Sequence, residues 1–240
     1  MDGRLRVATR FGLVGLAIML AGSAEGSSRS AARPIRLDEA RMIVEINATD
    51  GDAGLQVFLD GEPWRRMTLT APNGRQILAV NTKTRLRNHG LTELFSESSE
   101  PSFKELPLGK FKRLFPEGRY TFRGVTIEGD ALVGRARLSH DFPDGPRIVA
   151  PAGGSTVPAG AVLADWEPAP EPTGINVVGY RAIVEREDPL RVFSVDLPAS
   201  VTSVTVPAEF IEAGTEYKLE VQAIEASGNQ TLTEVPFRVA

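Results

Sequence analysis

Residues 210–225 read FIEAGTEYKLEVQAIE, and the fold turns on them. From Tyr217 onward, Tyr217, Leu219, Val221 and Ala223 alternate with Lys218, Glu220 and Gln222. A period of two places the first set on one face and the second on the other, the pattern of a strand with one side in a core. Ala213-Gly214 just ahead is turn chemistry, so the chain enters this strand from a tight crossover. Downstream, Ala226-Ser227-Gly228-Asn229-Gln230 closes a hairpin onto Thr231–Val239. Upstream lie short strands of the same kind: Ile148 to Pro151, Val162–Trp166, Ile175–Glu185, Val192–Asp196 and Val201–Val206.

Trp166 early, Tyr180 on the next strand and Tyr217 behind the 210–216 run together resemble a fibronectin type III domain across residues 147–240. That resemblance implies a two-sheet sandwich in which Trp166 and Tyr180 are core framework. It also implies that the Tyr217 hydroxyl bonds a backbone group near Phe210, in the tyrosine-corner manner. Members of this family carry surfaces and spacings, and seldom chemistry. The last hairpin loop holds no Arg-Gly-Asp, and Arg186-Glu187-Asp188 lacks the glycine, which argues against an integrin-type ligand.

Residues 34–146 repeat the β pattern. Met42–Ile46, Leu55–Leu59, Trp64–Thr70 and Gln76–Asn81 are strand candidates, with Asp60-Gly61 and Pro72-Asn73-Gly74 as turns. Between 88 and 116 a helical insertion is expected. Leu108, Phe111, Leu114 and Phe115 recur at helical spacing behind Pro107, and Ser102 to Glu105 has capping-box spacing. Gly118-Arg119-Tyr120 then enters a last hairpin, and Tyr120 resembles a second tyrosine corner of an immunoglobulin-like sandwich. Asp141–Pro146 reads as a boundary. The expected fold is all-β: two β-sandwich domains, 34–146 with the helical insertion and 147–240 of fibronectin type III type.

Residues 1–24 have the order of a secretory signal peptide: Arg4, Arg6 and Arg10, an apolar run from Phe11 to Ala21, then small residues. As a helix that run reaches only ~16 Å, too short for a stable span. Residues 25–33 read as a disordered leader. The expectation is a secreted or periplasmic protein of bacterial style. Cysteine is absent, which removes disulfides and thiolate metal sites. Residues 34–146 carry 16 basic and 16 acidic side chains, whereas 147–240 carry 6 and 13. The acidic second half would be repelled by phosphate backbones, so nucleic acid is not the expected partner.

Candidate chemistry gathers in the first half. Asp50-Gly51-Asp52 can supply oxygens to Ca²⁺, which takes them at ~2.3–2.6 Å, with Glu45, Asp60 or Glu62 completing a shell if their loops converge. The full calcium-loop spacing is absent, and the same residues also make a plain solvated turn. Trp64 either stacks on a sugar ring or fills the core. Lys83, Arg85 and Arg87 alternate, so on a strand they form one basic stripe, suited to acidic polysaccharide or to guarding an edge strand. His89 and His140 accompany no nucleophile elbow or metal pair, and no phosphate-binding glycine loop exists. The leading expectation is a non-catalytic binding or adhesion protein, with Asp50, Asp52, Asp60 and Trp64 as binding residues. Its partner is a protein or polysaccharide of the envelope or extracellular space. The alternatives are a glycan hydrolase drawing on Glu45, Asp50, Asp52, Asp60 and Glu62, and a structural subunit of an envelope assembly.

Overall fold

A computed structural model of the chain describes residues 33–240, and the expected signal peptide and most of the leader lie outside them. No helix of the described residues is long and apolar enough to cross a membrane. Residues 33–240 form a single compact unit.

The first module contains β1 (Ile35–Arg36), β2 (Glu39–Asn47), β3 (Asp52–Thr70), β4 (Gln76–Asn81), α1 (Thr84–His89), β5 (Leu91–Glu97), α2 (Leu108–Leu114), β6 (Gly118–Thr126) and β7 (Ala131–Leu138). Its spine is β3, a strand of 19 residues. The first half of β3 pairs with β2 and β5, and the second half with β4 and β6. The expected turn at Asp60-Gly61 does not form. The ladder is irregular between Asp60 and Trp64, yet the strand runs on. Gly61 lies against Leu37, where a Cβ would come 2.9 Å from Leu37 Cδ2. Tertiary packing has overridden the turn propensity of the dipeptide. Met42, Val44, Leu55, Val57, Leu59, Trp64, Met67, Leu69, Tyr120 and Phe122 fill the core between the halves.

Residues 88–116 are only partly helical, because β5 lies within them. α2 seats Phe111 in the core and leaves Leu114 exposed. The Ser102 to Glu105 box is not used. α2 begins at Pro107 without a side-chain cap, and the Ser102 carbonyl instead accepts from the Glu105 and Leu106 amides in a turn. Tyr120 is fully buried, and its hydroxyl donates to the Pro116 carbonyl at 2.9 Å.

The second module contains β8 (Arg147–Ala150), β9 (Thr156–Val157), β10 (Val162–Glu167), β11 (Val177–Arg186), β12 (Arg191–Pro198), β13 (Ser203–Val206), β14 (Glu216–Glu225) and β15 (Gln230–Val239). A three-stranded sheet β13-β10-β8 faces the strands β12-β11-β14-β15, the layering of a fibronectin type III sandwich. Trp166 and Tyr180 meet edge-on in the core at 5.6 Å between centroids. The Tyr217 hydroxyl accepts from the Glu212 amide at 2.9 Å and donates to the Phe210 carbonyl at 3.3 Å. The chain is therefore all-β, as its alternation predicts, and the tyrosine corner at Tyr217 is in place.

The modules share one 12-stranded sheet, running β1-β7-β6-β3-β2-β15-β14-β11-β12. The seam is the parallel pairing of Glu45, Ile46 and Asn47 on β2 with Gln230, Thr231 and Leu232 on β15. Asn229, just ahead of β15, fastens it. Its Oδ1 accepts from the Val44 amide at 2.8 Å, and its Nδ2 donates to the carbonyls of Ser139 and Asp141, each at 3.1 Å.

Candidate functional site

The four residues singled out from the sequence do not form one site. Asp50 sits in the turn between β2 and β3, where Asn47 Oδ1 accepts from the Thr49 and Asp50 amides at 2.9 and 3.0 Å. Gly51 completes that turn at φ +70°, a conformation that favours glycine. Asp52 opens β3, and its Oδ1 is buried without a hydrogen-bond partner among the described residues. Burial raises its pKa, and the charges of Asp50 and Glu234 raise it further. Asp60 lies eight residues along β3 from Asp52, about 26 Å by strand rise, and accepts from the Gly61 amide at 2.7 Å. Trp64 has no exposed surface. It cannot stack on a sugar, and its indole N–H points to the Thr92 carbonyl at 3.4 Å.

The structure instead gathers charge in two places. The first is the outer face of the shared sheet at the seam. Glu45 on β2 is the ladder partner of Gly54 on β3, and Glu97 on β5 that of Gln56. Antiparallel partners share a face, so Glu45, Gln56 and Glu97 project together. The carboxylate of Glu100, from the loop after β5, lodges over Gly54, where a Cβ would collide with it. Carboxylate oxygens of Glu45, Glu97 and Glu100 thus lie within 4.8 Å of one another. Across the seam, the carboxamide nitrogens of Gln222 (at 3.1 Å) and Gln230 both donate to Glu45 Oε2. Burial pushes the Glu45 carboxyl up to about 7, the charges of Glu100, Glu97 and Glu220 add to the rise, and the Gln230 bond opposes it. Glu100 is raised too, by burial and then by Glu97 and Asp52. None of the ion pairs among the described residues involves any of the three.

The second place is basic. Arg65, Arg66, Asn81, Thr82, Lys83, Arg87 and Val125 line a recess of about 410 Å³ where β3, β4 and β6 meet α1. The expected stripe of Lys83, Arg85 and Arg87 does not exist, because these residues lead into and lie on a helix and not a strand. On a helix i and i+2 diverge whereas i and i+4 align, so Lys83 and Arg87 reach the recess and Arg85 is absent from its lining. Thr82 ties the crossing down: its amide and hydroxyl both donate to the Arg65 carbonyl, at 2.9 and 3.1 Å. Two residues further on, Thr84 holds φ +49°, left-handed backbone that a β-branched residue seldom adopts. Such strain concentrates where a segment is held for a purpose. The lining contains no carboxylate, and the described ion pairs include none of its four cations.

The two histidines lie apart in the chain's loops and helix ends. His89 ends α1, and the His140 ring lies 2.8 Å from the Phe115 carbonyl while its amide donates to Glu117.

No family model matches the chain, and no curated protein matches it. Among solved structures it is similar to the fibronectin type III domain of human collagen α-1(XX), at 25% identity over 41% of this chain and 87% of that one, with a TM-score of 0.31. It is also similar to a two-domain fibronectin type III segment of chicken tenascin, at 10% identity over 84% of this chain and 98% of that one, again with a TM-score of 0.31.

Proposed function

We propose that this is an exported, non-catalytic binding protein that holds an acidic polysaccharide of the cell envelope or extracellular space on its first module. One observation carries the reading: Arg65, Arg66, Lys83 and Arg87 converge on a single recess with no acidic neighbour in its lining. Four like charges held together without partners repel one another, and an anionic ligand relieves that repulsion. Guanidinium groups suit the purpose, since their planar donor forks match carboxylates and sulfates in pairs. The volume falls within the range of small-ligand sites, about 300–1,000 Å³. In a chain of net charge −4, this concentration of cations is set against the general charge of the molecule. The second module presents the acidic surface and serves as a rigid companion.

The test is retention of the full chain on immobilised acidic polysaccharides, polygalacturonate and heparin, with neutral dextran as control. Binding to the acidic matrices should weaken steeply with salt, as exposed charge contacts do once the screening length falls to about 10 Å. Arg66→Ser/Arg87→Ser should weaken it about tenfold or more. Equal retention on dextran, or a double variant that binds like wild type, defeats the reading.

A further inference from the structure

We propose that Glu45, Glu97 and Glu100, completed by the carboxamide oxygen of Gln222, form a binding site for a hard divalent cation of the Ca²⁺ type that clamps the two modules together. Three observations carry this, and none depends on the basic recess.

The first is spacing. Ca²⁺ takes its oxygens at about 2.3–2.6 Å, so ligand atoms of one ion lie up to about 5 Å apart. The three carboxylates offer oxygens within 4.8 Å of one another. The donors are all oxygen, which selects a hard cation and leaves softer metals without thiolate or imidazole.

The second is Gln222. Its side chain belongs to a residue only 5% exposed, and Oε1 has no hydrogen-bond partner among the described residues. A buried amide oxygen left unpaired costs about 1–3 kcal/mol. The amide is aimed at Glu45, with Nε2 3.1 Å from Oε2. That carboxylate oxygen already accepts from Gln230. Turning the Gln222 amide over exchanges its oxygen and nitrogen and brings Oε1 towards Glu45. Oxygen would then face oxygen, an arrangement that a cation between them makes favourable. An ion bound there would take the Gln222 oxygen as a ligand and neutralise the carboxylates, while the amide nitrogen passes to the place that Oε1 held.

The third is Gly54. Any side chain at this position would occupy the place of the Glu100 carboxylate. The fold thus leaves room for a third negative group directly across the ladder from Glu45, where Coulomb repulsion alone would drive it out to solvent. Glu45, Glu97 and Glu100 come from the first module and Gln222 from β14 of the second, so the bound ion would bridge the seam beside Gln230.

Thermal unfolding and calorimetric titration of the full chain, first treated with EDTA and then given Ca²⁺, test this. The melting temperature should rise saturably, with half the effect at about 0.1–1 mM, the range of extracellular modules. Glu97→Gln/Glu100→Gln should weaken Ca²⁺ binding about tenfold or more and raise the melting temperature of the EDTA-treated protein, since repulsion is removed. Glu100→Gln alone, at an exposed position, should shift both quantities in the same directions. Asp50→Asn, in the neighbouring turn, should leave the response intact. No heat and no stabilisation up to about 10 mM Ca²⁺ overturns the proposal, as does wild-type affinity in the Glu97/Glu100 variants. A response abolished by Asp50→Asn but kept by the glutamate variants overturns it as well, and assigns the ion to the turn.

Discussion

Replacing Asn229 by alanine should destabilise this protein substantially. The side chain is 1% exposed and joins the modules through both ends of its amide. Truncation leaves the Val44 amide, on a residue with no exposed surface, without the acceptor that lay 2.8 Å away. A buried donor stranded in this way costs about 1–3 kcal/mol. The carbonyls of Ser139 and Asp141 lose their donor too, whereas the Ser139 hydroxyl keeps its bond to Ser227 at 2.8 Å. About 3 kcal/mol in total is expected. For a unit of this size that corresponds to a fall of about 6–12 °C in melting temperature. Asn229→Asp separates shape from chemistry. The carboxylate keeps the acceptor for Val44 but sets a negative charge against three oxygens, at 3.0 to 3.1 Å, that had received a donor. It should therefore destabilise at least as much as alanine, despite being isosteric. Calorimetry of the full chain decides both points. The wild type should unfold in one transition and Asn229→Ala in two, as the modules uncouple. A shift below about 1 °C in both variants, or aspartate milder than alanine, would refute the reasoning.

Two other tests bear on the framework. Tyr217→Phe removes the acceptor of the Glu212 amide and the donor to Phe210, and should lower stability by about 1–2 kcal/mol without changing the far-ultraviolet dichroism. Burial pushes the Tyr120 phenol up to about 12 from its ordinary 10.0. The unfolded chain then releases this proton before the folded one does, so stability falls as pH rises from about 10 to about 12. Tyr120→Phe should abolish the corresponding late step in an absorbance titration of phenolate. A titration curve unchanged by that substitution contradicts the burial argument.

Much of the architecture was legible because its signals are local. The alternation from Tyr217 to Ala223 needs no partner to be read, and the aromatic anchors Trp166, Tyr180 and Tyr217 lie where such a sandwich requires them. What failed was propensity judged without its surroundings. Asp60-Gly61 is turn chemistry, but packing against Leu37 carries the strand through it. Lys83, Arg85 and Arg87 suit a strand by parity and a helix by register, and only the second places two of them in the recess. Of the acidic cluster only Glu45 was singled out, for a different reason. Its members come from β2, β5, the loop beyond β5 and β14, so no spacing along the chain announces it. One weak clue was present. Glu97 and Glu100 lie in a stretch, residues 88–103, that contains no lysine or arginine. The seam was likewise invisible, since Asn229 in a Ser-Gly-Asn loop reads as an ordinary hairpin, and its acceptor role involves a residue 185 positions away.

The seam also has a consequence for how copies of the chain meet. Its ladder joins only residues 45–47 with 230–232, a contact that two separate molecules could make equally well. What decides between the two is proximity. The tether between β7 and β8 runs through residues 139–146, and a tether this short holds the two strands at an effective concentration on the order of millimolar. Below that concentration, closure within one molecule outcompetes exchange with a neighbour. Lengthening the tether dilutes the strands with respect to each other, roughly as the −3/2 power of its length. The six residues from Asp141 to Pro146 carry no side chain of either proposed site, yet their number governs how strongly closure within one molecule would be favoured over exchange between two.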